Sequence, residues 1–166
     1  MPILSRILII ACSLIIQNAY AKSPKTQTIN VKQSVLKMAL NKGVKADDAV
    51  SALRSKAEEL NMKFVAYQAM SDELRERGIK AGRLEIFQFC NPYDAHVLAK
   101  HNPIFAAFMP CRISLIEDKK GTIWLVMLNL DLVIENKTLP KTVKRLAKRV
   151  NDTLVEIMTA GATGNF

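Results

Sequence analysis

Cys90 and Cys111 are the residues of this sequence best suited to chemistry, and three uses are open to them. The remaining cysteine, Cys12, stands in an apolar N-terminal run, which leaves an even pair in the body of the chain. In an oxidising compartment such a pair reads as a disulfide, and closing a loop of about 20 residues stabilises a fold by roughly 3 kcal/mol in the chain-entropy picture. A second use is a ligand-binding or metal-binding pair. Copper or zinc would need partners, and His96, His101 and Met109 are the soft candidates. The two histidines lie five residues apart, about 140° around a helix, so they cannot share a face, and no metal or other cofactor is expected. The third use is thiol-disulfide exchange, but catalytic thiols commonly occur as Cys-x-x-Cys at a helix start, and the spacing here is far wider. The simplest reading is two structural cysteines: Cys111 alternates with Met109, Ile113 and Leu115, and Cys90 with Leu84 and Ile86, while free cysteine is among the most buried residue types.

Other chemistry is missing. No G-x-S-x-G, H-E-x-x-H, phosphate-cradling loop or dinucleotide fingerprint occurs. Glu85, Glu117 and Asp131 fall on or beside strands with nothing to pair two of them as acid and base, and Glu85 next to Arg83 reads as a surface pair. No catalytic residue is assigned. Polar and special residues instead gather around the cysteines, so Cys90, Asn91, Pro92, Met109, Pro110, Cys111 and Arg112 form the candidate ligand-binding set. The alternative is that they only cap a helix and turn the chain.

Periodicity supplies the elements that must position this set. A strand is expected over residues 35–40, then a helix opened by Asp47 and Asp48 with Val50, Leu53, Ala57 and Leu60 on one face and ended by Asn61. A strand over 62–69 follows, and a short helix capped at Ser71 and closed by Gly78. Residues 84–89 read as a largely buried strand. Asn91 suits an N-cap and Pro92 the first helical position, with Asn102-Pro103 ending that helix. Residues 108–117 and 122–130 form a hairpin turning at 118–121. The last helix carries Val143, Leu146, Ala147, Val150, Leu154, Ile157 and Met158 as one stripe, a solvated basic cluster in its first half, and Gly161 as C-cap. This order implies an α+β two-layer sandwich, a mainly antiparallel sheet with helices packed on one face.

The first 21 residues have the grammar of a cleavable secretory signal: Arg6, an apolar run over 7–16, and Ala19-Tyr20-Ala21 as the cleavage pattern. That run is too short to span a bilayer, which takes about 20 residues, so the mature chain, starting at Lys22, has no membrane span. Residues 22–34 read as a polar linker and 35–166 as one domain. Losing the one arginine of the signal takes the net charge from +9 to +8, a field that favours anionic partners or simply keeps an exported protein in solution.

Phe89-Cys90-Asn91-Pro92, followed by Met109-Pro110-Cys111-Arg112-Ile113, resembles the signature of the domain-of-unknown-function family 302, and the closing residues 157–166 resemble the C-terminus of its exported members. The resemblance covers residues 35–166. It implies a TATA-binding-protein-like arrangement of one sheet and two principal helices, and it implies no reaction. Fold likeness to a DNA-binding protein carries no function, and nucleic acid is not an expected partner.

The function expected is that of a periplasmic or secreted, non-enzymatic ligand-binding or accessory module. The alternatives are a thiol-disulfide oxidoreductase using Cys90 and Cys111, and a subunit of a cell-envelope assembly. A small ligand, an envelope protein or a second copy in a homodimer are the partners left open. The chain ends on Phe166, whose burial would contribute roughly 1.5 to 3 kcal/mol, so the tail is expected to fold back onto an apolar surface.

Overall fold

The computed structural model describes residues 34–135 and 138–165. The expected signal segment, most of the linker and Phe166 lie outside the described residues. The elements are β1 (Val35–Ala39), α1 (Ala46–Glu59), β2 (Lys63–Gln68), α2 (Met70–Glu76), β3 (Leu84–Cys90), α3 (Pro92–His101), a 3₁₀ turn (Pro103–Phe108), β4 (Cys111–Glu117), β5 (Ile123–Leu128), α4 (Asp131–Ile134) and α5 (Lys141–Thr163). The five strands form one sheet in the order β1-β5-β4-β3-β2, and every neighbouring pair is antiparallel. This is the α+β arrangement that periodicity implies.

One sheet face is dry. Phe87, Phe89, Ile113, Leu115, Leu125 and Met127 point from it into a core shared with Leu53 and Ala57 of α1 and Leu154, Ile157 and Met158 of α5. Register explains the sharing: Phe87 stands opposite Ile113 and Ile113 opposite Met127, so inward residues form continuous rows across the strands. On β3 the fully buried parity is Glu85, Phe87 and Phe89, whereas the alternation of Cys90 with Leu84 and Ile86 belongs to the half-exposed face. Both parities of this strand are apolar, and only the helices opposite decide between them.

Several expectations are corrected. Residues 108–110 are not strand: Phe108 ends the 3₁₀ turn and Met109-Pro110 is a cis peptide. Proline has no N–H to give a ladder, so β4 begins at Cys111. Strand β5 ends at Leu128, because Asn129 accepts from the Asp131 N–H and Asn151 of α5 accepts from that of Leu130, which turns the chain into α4. Ser71 does not cap α2; it is buried inside it, after an Ala69 N-cap with no side-chain bond. Gly161 does not end α5, which runs to Thr163 and closes at Gly164 in the left-handed region at φ 69°. The basic cluster is partly paired, through Lys148 to Asp152 and Arg149 to Asp94.

Candidate functional site

The candidate residues meet at one end of the sheet. Phe89 stands opposite Cys111, so Cys90, the last residue of β3, lies one position from the cross-strand partner of Cys111. Asn91 follows and does two jobs. Its Oδ1 accepts from the Tyr93 and Asp94 N–H groups at 3.0 and 3.2 Å, and its Nδ2 donates to the Asn61 carbonyl at 3.2 Å. The second bond ties the start of α3 to the turn after α1, where Asn61 adopts φ 56°. Pro92 fills the first turn, where a missing N–H costs nothing. Asn91→Ala should therefore lower the melting temperature by about 4 °C, since a lost N-cap costs about 1 kcal/mol and a domain of this size shifts by roughly 4 °C per kcal/mol. Scanning calorimetry reads this directly.

Behind these residues lies an apolar cavity of about 40 Å³, walled by Met62, Cys90, Leu98, Phe105, Met109 and Cys111 among others. On its far side an open groove of about 310 Å³ runs along the strand ends, bordered by Pro110, Arg112, Ser114, Val126 and Leu128. Phe108, Cys111 and Leu130 line both spaces and form the partition between them. Arg112 is exposed at the groove, and its side chain makes no hydrogen bond or ion pair among the described residues. His96 and His101 are exposed on α3 and border neither space. All seven candidate ligand-binding residues thus belong to one region, with Asn91 and Pro92 in capping roles and Cys90, Met109, Pro110, Cys111 and Arg112 at the two spaces.

Both cysteines are free thiols. Burial pushes the Cys111 thiol up to about 11, with the nearby Cys90 adding to it, and burial followed by the charge of Asp94 raises Cys90 as well. The reacting species of a thiol is its thiolate. A rise of about two units from 9.0 makes that species about 100-fold scarcer at pH 8, of which higher intrinsic nucleophilicity restores about ten-fold. In the reduced, metal-free protein Cys111 should react with iodoacetamide at least ten-fold more slowly than a peptide thiol at pH 8, and its rate should rise up to about pH 11. Mass spectrometry of quenched time points measures this, and unfolding in urea should abolish the difference.

A second polar cluster was not legible as one. Glu85, read as part of a surface pair, is only 4% exposed on the inward face of β3. Arg83 Nε donates to its Oε1 at 2.5 Å, Tyr67 donates to its Oε2 at 3.0 Å, and Arg83 also reaches Asp47 at the start of α1 at 2.7 Å. Burial, and then the bond to Glu85, raises the Tyr67 pKa. The signal available in the sequence was the parity of Glu85 with Phe87 and Phe89. Every ionisable member has a partner, so the cluster is a clamp between α1, β2 and β3.

The family model described as Domain of unknown function DUF302 matches residues 36–161. The chain belongs to this family. No curated protein matches the chain. Among solved structures, the DUF302 domain is similar to an uncharacterised conserved DUF302 protein from Bacillus stearothermophilus, with a TM-score of 0.65 at 16% identity over 76% of this chain and 96% of that one. At that identity the likeness concerns the fold alone. In this chain the sheet is backed by two principal helices, α1 and α5. Among the described residues no helix is long and apolar enough to cross a membrane.

Proposed function

We propose that this DUF302 protein is an exported, non-enzymatic binding module whose ligand is a small amphiphile with one anionic end. The observation that carries the reading is the groove at the motif residues, an apolar channel with a single unpaired guanidinium, Arg112, at its side. Ligand sites are mostly apolar, with few polar groups to fix orientation, and arginine binds carboxylates and phosphates through a planar fork. Export is supported by Arg6, the apolar run and Ala19-Tyr20-Ala21. Thiol-disulfide exchange is the weaker alternative, because burial holds Cys111 neutral at physiological pH.

Calorimetric titration of the mature protein with octanoate tests the reading. Saturable one-to-one binding is expected, weakened on the order of ten-fold by Arg112→Gln, the scale of a lost hydrogen bond to a charged group. Lys144→Gln, on α5, should change nothing. Equal affinity in both variants, or no saturation, would remove the groove as the site. N-terminal sequencing of the exported protein should begin at Lys22.

A further inference from the structure

Four of the residues around the smaller cavity carry sulfur: Cys90, Cys111, Met62 and Met109. They come from three parts of the chain. Met62 directly precedes β2, Cys90 ends β3, and Met109 and Cys111 flank Pro110 at the start of β4. The sheet sets the ends of these segments side by side, with Phe89 opposite Cys111 and Lys63 opposite Cys90, and Cys90, whose parity is that of the half-exposed face, borders the cavity from the last position of its strand.

The chemistry of the wall selects what can occupy it. Among the described residues no three of histidine, cysteine, aspartate and glutamate are grouped to hold a metal ion, so hard and borderline ions such as Mg²⁺ lack their usual donors. Asp94, which borders the cavity, is held by Arg149 at 2.6 Å. What remains is thiol and thioether sulfur in an apolar setting. Soft sulfur ligands select Cu(I). Charge points the same way, because burying a net charge in apolar surroundings is costly. When Cu⁺ binds one cysteine as its thiolate, that S–H proton leaves to solvent, a Cu–S bond forms, copper stays at +1 and the centre is neutral, while the second cysteine keeps its proton and coordinates as a neutral thiol. Thioethers add donors without adding charge.

We propose that the cavity is a cuprous-ion site, with Cys90, Cys111, Met62 and Met109 as the donor set. The site lies beside the groove that takes the amphiphile and shares Cys111 with its wall, but neither proposal depends on the other. The reduced mature protein, titrated anaerobically against the coloured Cu(I)–bicinchoninate complex, should withdraw one equivalent of copper. Loss of a direct donor should exceed the roughly 10- to 100-fold cost of losing an outer-shell partner, so Cys90→Ala and Cys111→Ala should each weaken binding by more than that. Met62→Leu and Met109→Leu, which conserve volume, should weaken it less while circular dichroism stays unchanged. X-ray absorption of the loaded protein should show a sulfur-only shell.

Failure to withdraw copper from bicinchoninate would overturn the proposal and leave a dry packing gap. So would retention of copper by the double cysteine variant, or nitrogen in the first shell, which would move the metal to the exposed histidines. Octanoate titration of the unaltered protein and of Cys90→Ala, Met62→Leu and Met109→Leu, whose residues border the cavity and not the groove, reads the groove independently, so the two proposals fail separately.

Discussion

Replacing Gly161 by valine should lower the melting temperature by about 10 °C. A Cβ at this position would stand 2.7 Å from both Cγ and Cδ2 of Leu53 and 3.0 Å from Cδ1 of Leu125. Both leucines are fully buried, so they have no solvent to move into. Overpacking of a close-packed core costs typically 1 to 3 kcal/mol, and valine belongs at the upper end because its branched carbons extend the clash. Alanine gives the informative comparison. It brings the same Cβ but recovers about 1 kcal/mol of helix propensity relative to glycine, so Gly161→Ala should lose only about half as much. Shortening the opposing side chain by Leu53→Ala should partly rescue Gly161→Val, and a double-mutant cycle measures the coupling. If alanine proves stabilising and the cycle shows no coupling, the closeness of α1 and α5 at this point is not what requires glycine.

Arg83→Leu should be comparably damaging, and Asp47→Asn nearly silent, although both break ion pairs of the same arginine. The Glu85 side chain is 6% exposed and that of Asp47 86%. Removing one partner of a buried pair leaves an uncompensated charge and costs 3 to 5 kcal/mol. The Arg83 side chain keeps 30% exposure, which places the expected loss near the lower figure, about 3 kcal/mol. An exposed pair contributes about 0 to 1 kcal/mol. Arg83→Lys should fall between them, since an ammonium keeps the charge but cannot bridge Glu85 and Asp47 with a planar fork. Urea unfolding with unchanged m-values measures all three. Equal losses in Arg83→Leu and Asp47→Asn would show that the Glu85 contact is not the member that matters.

The clamp bears on the candidate site through β3. Glu85 anchors one end of that strand and Cys90 stands at the other, so the same register that seats Phe87 and Phe89 in the core sets where the motif emerges. Asn91 then fixes the direction in which the chain leaves the sheet.

Much of this was decided by local chemistry and could be read from the chain itself. Asn91-Pro92 dictates a capped helix because an Asn side chain satisfies the first free N–H groups and Pro92 needs none. The turn at 118–121 closes because Asp118 accepts from the Lys120 and Thr122 N–H groups and Gly121 tolerates φ 77°. The stripes of α1 and α5 imply one covered sheet face, and the paired motifs around Cys90 and Cys111 indicate the family. The tertiary structure alone decided which face of β3 is buried, that Glu85 lies on it, that Gly161 belongs to a helix contact and not to a helix end, and that Met62, Cys90, Met109 and Cys111 border one cavity while Arg112 borders a groove. A cap or a turn is settled by groups a few residues apart, whose proximity the covalent chain guarantees. Burial, close approach and a common cavity depend on what stands opposite, and in an antiparallel sheet that is set by register between segments distant in sequence.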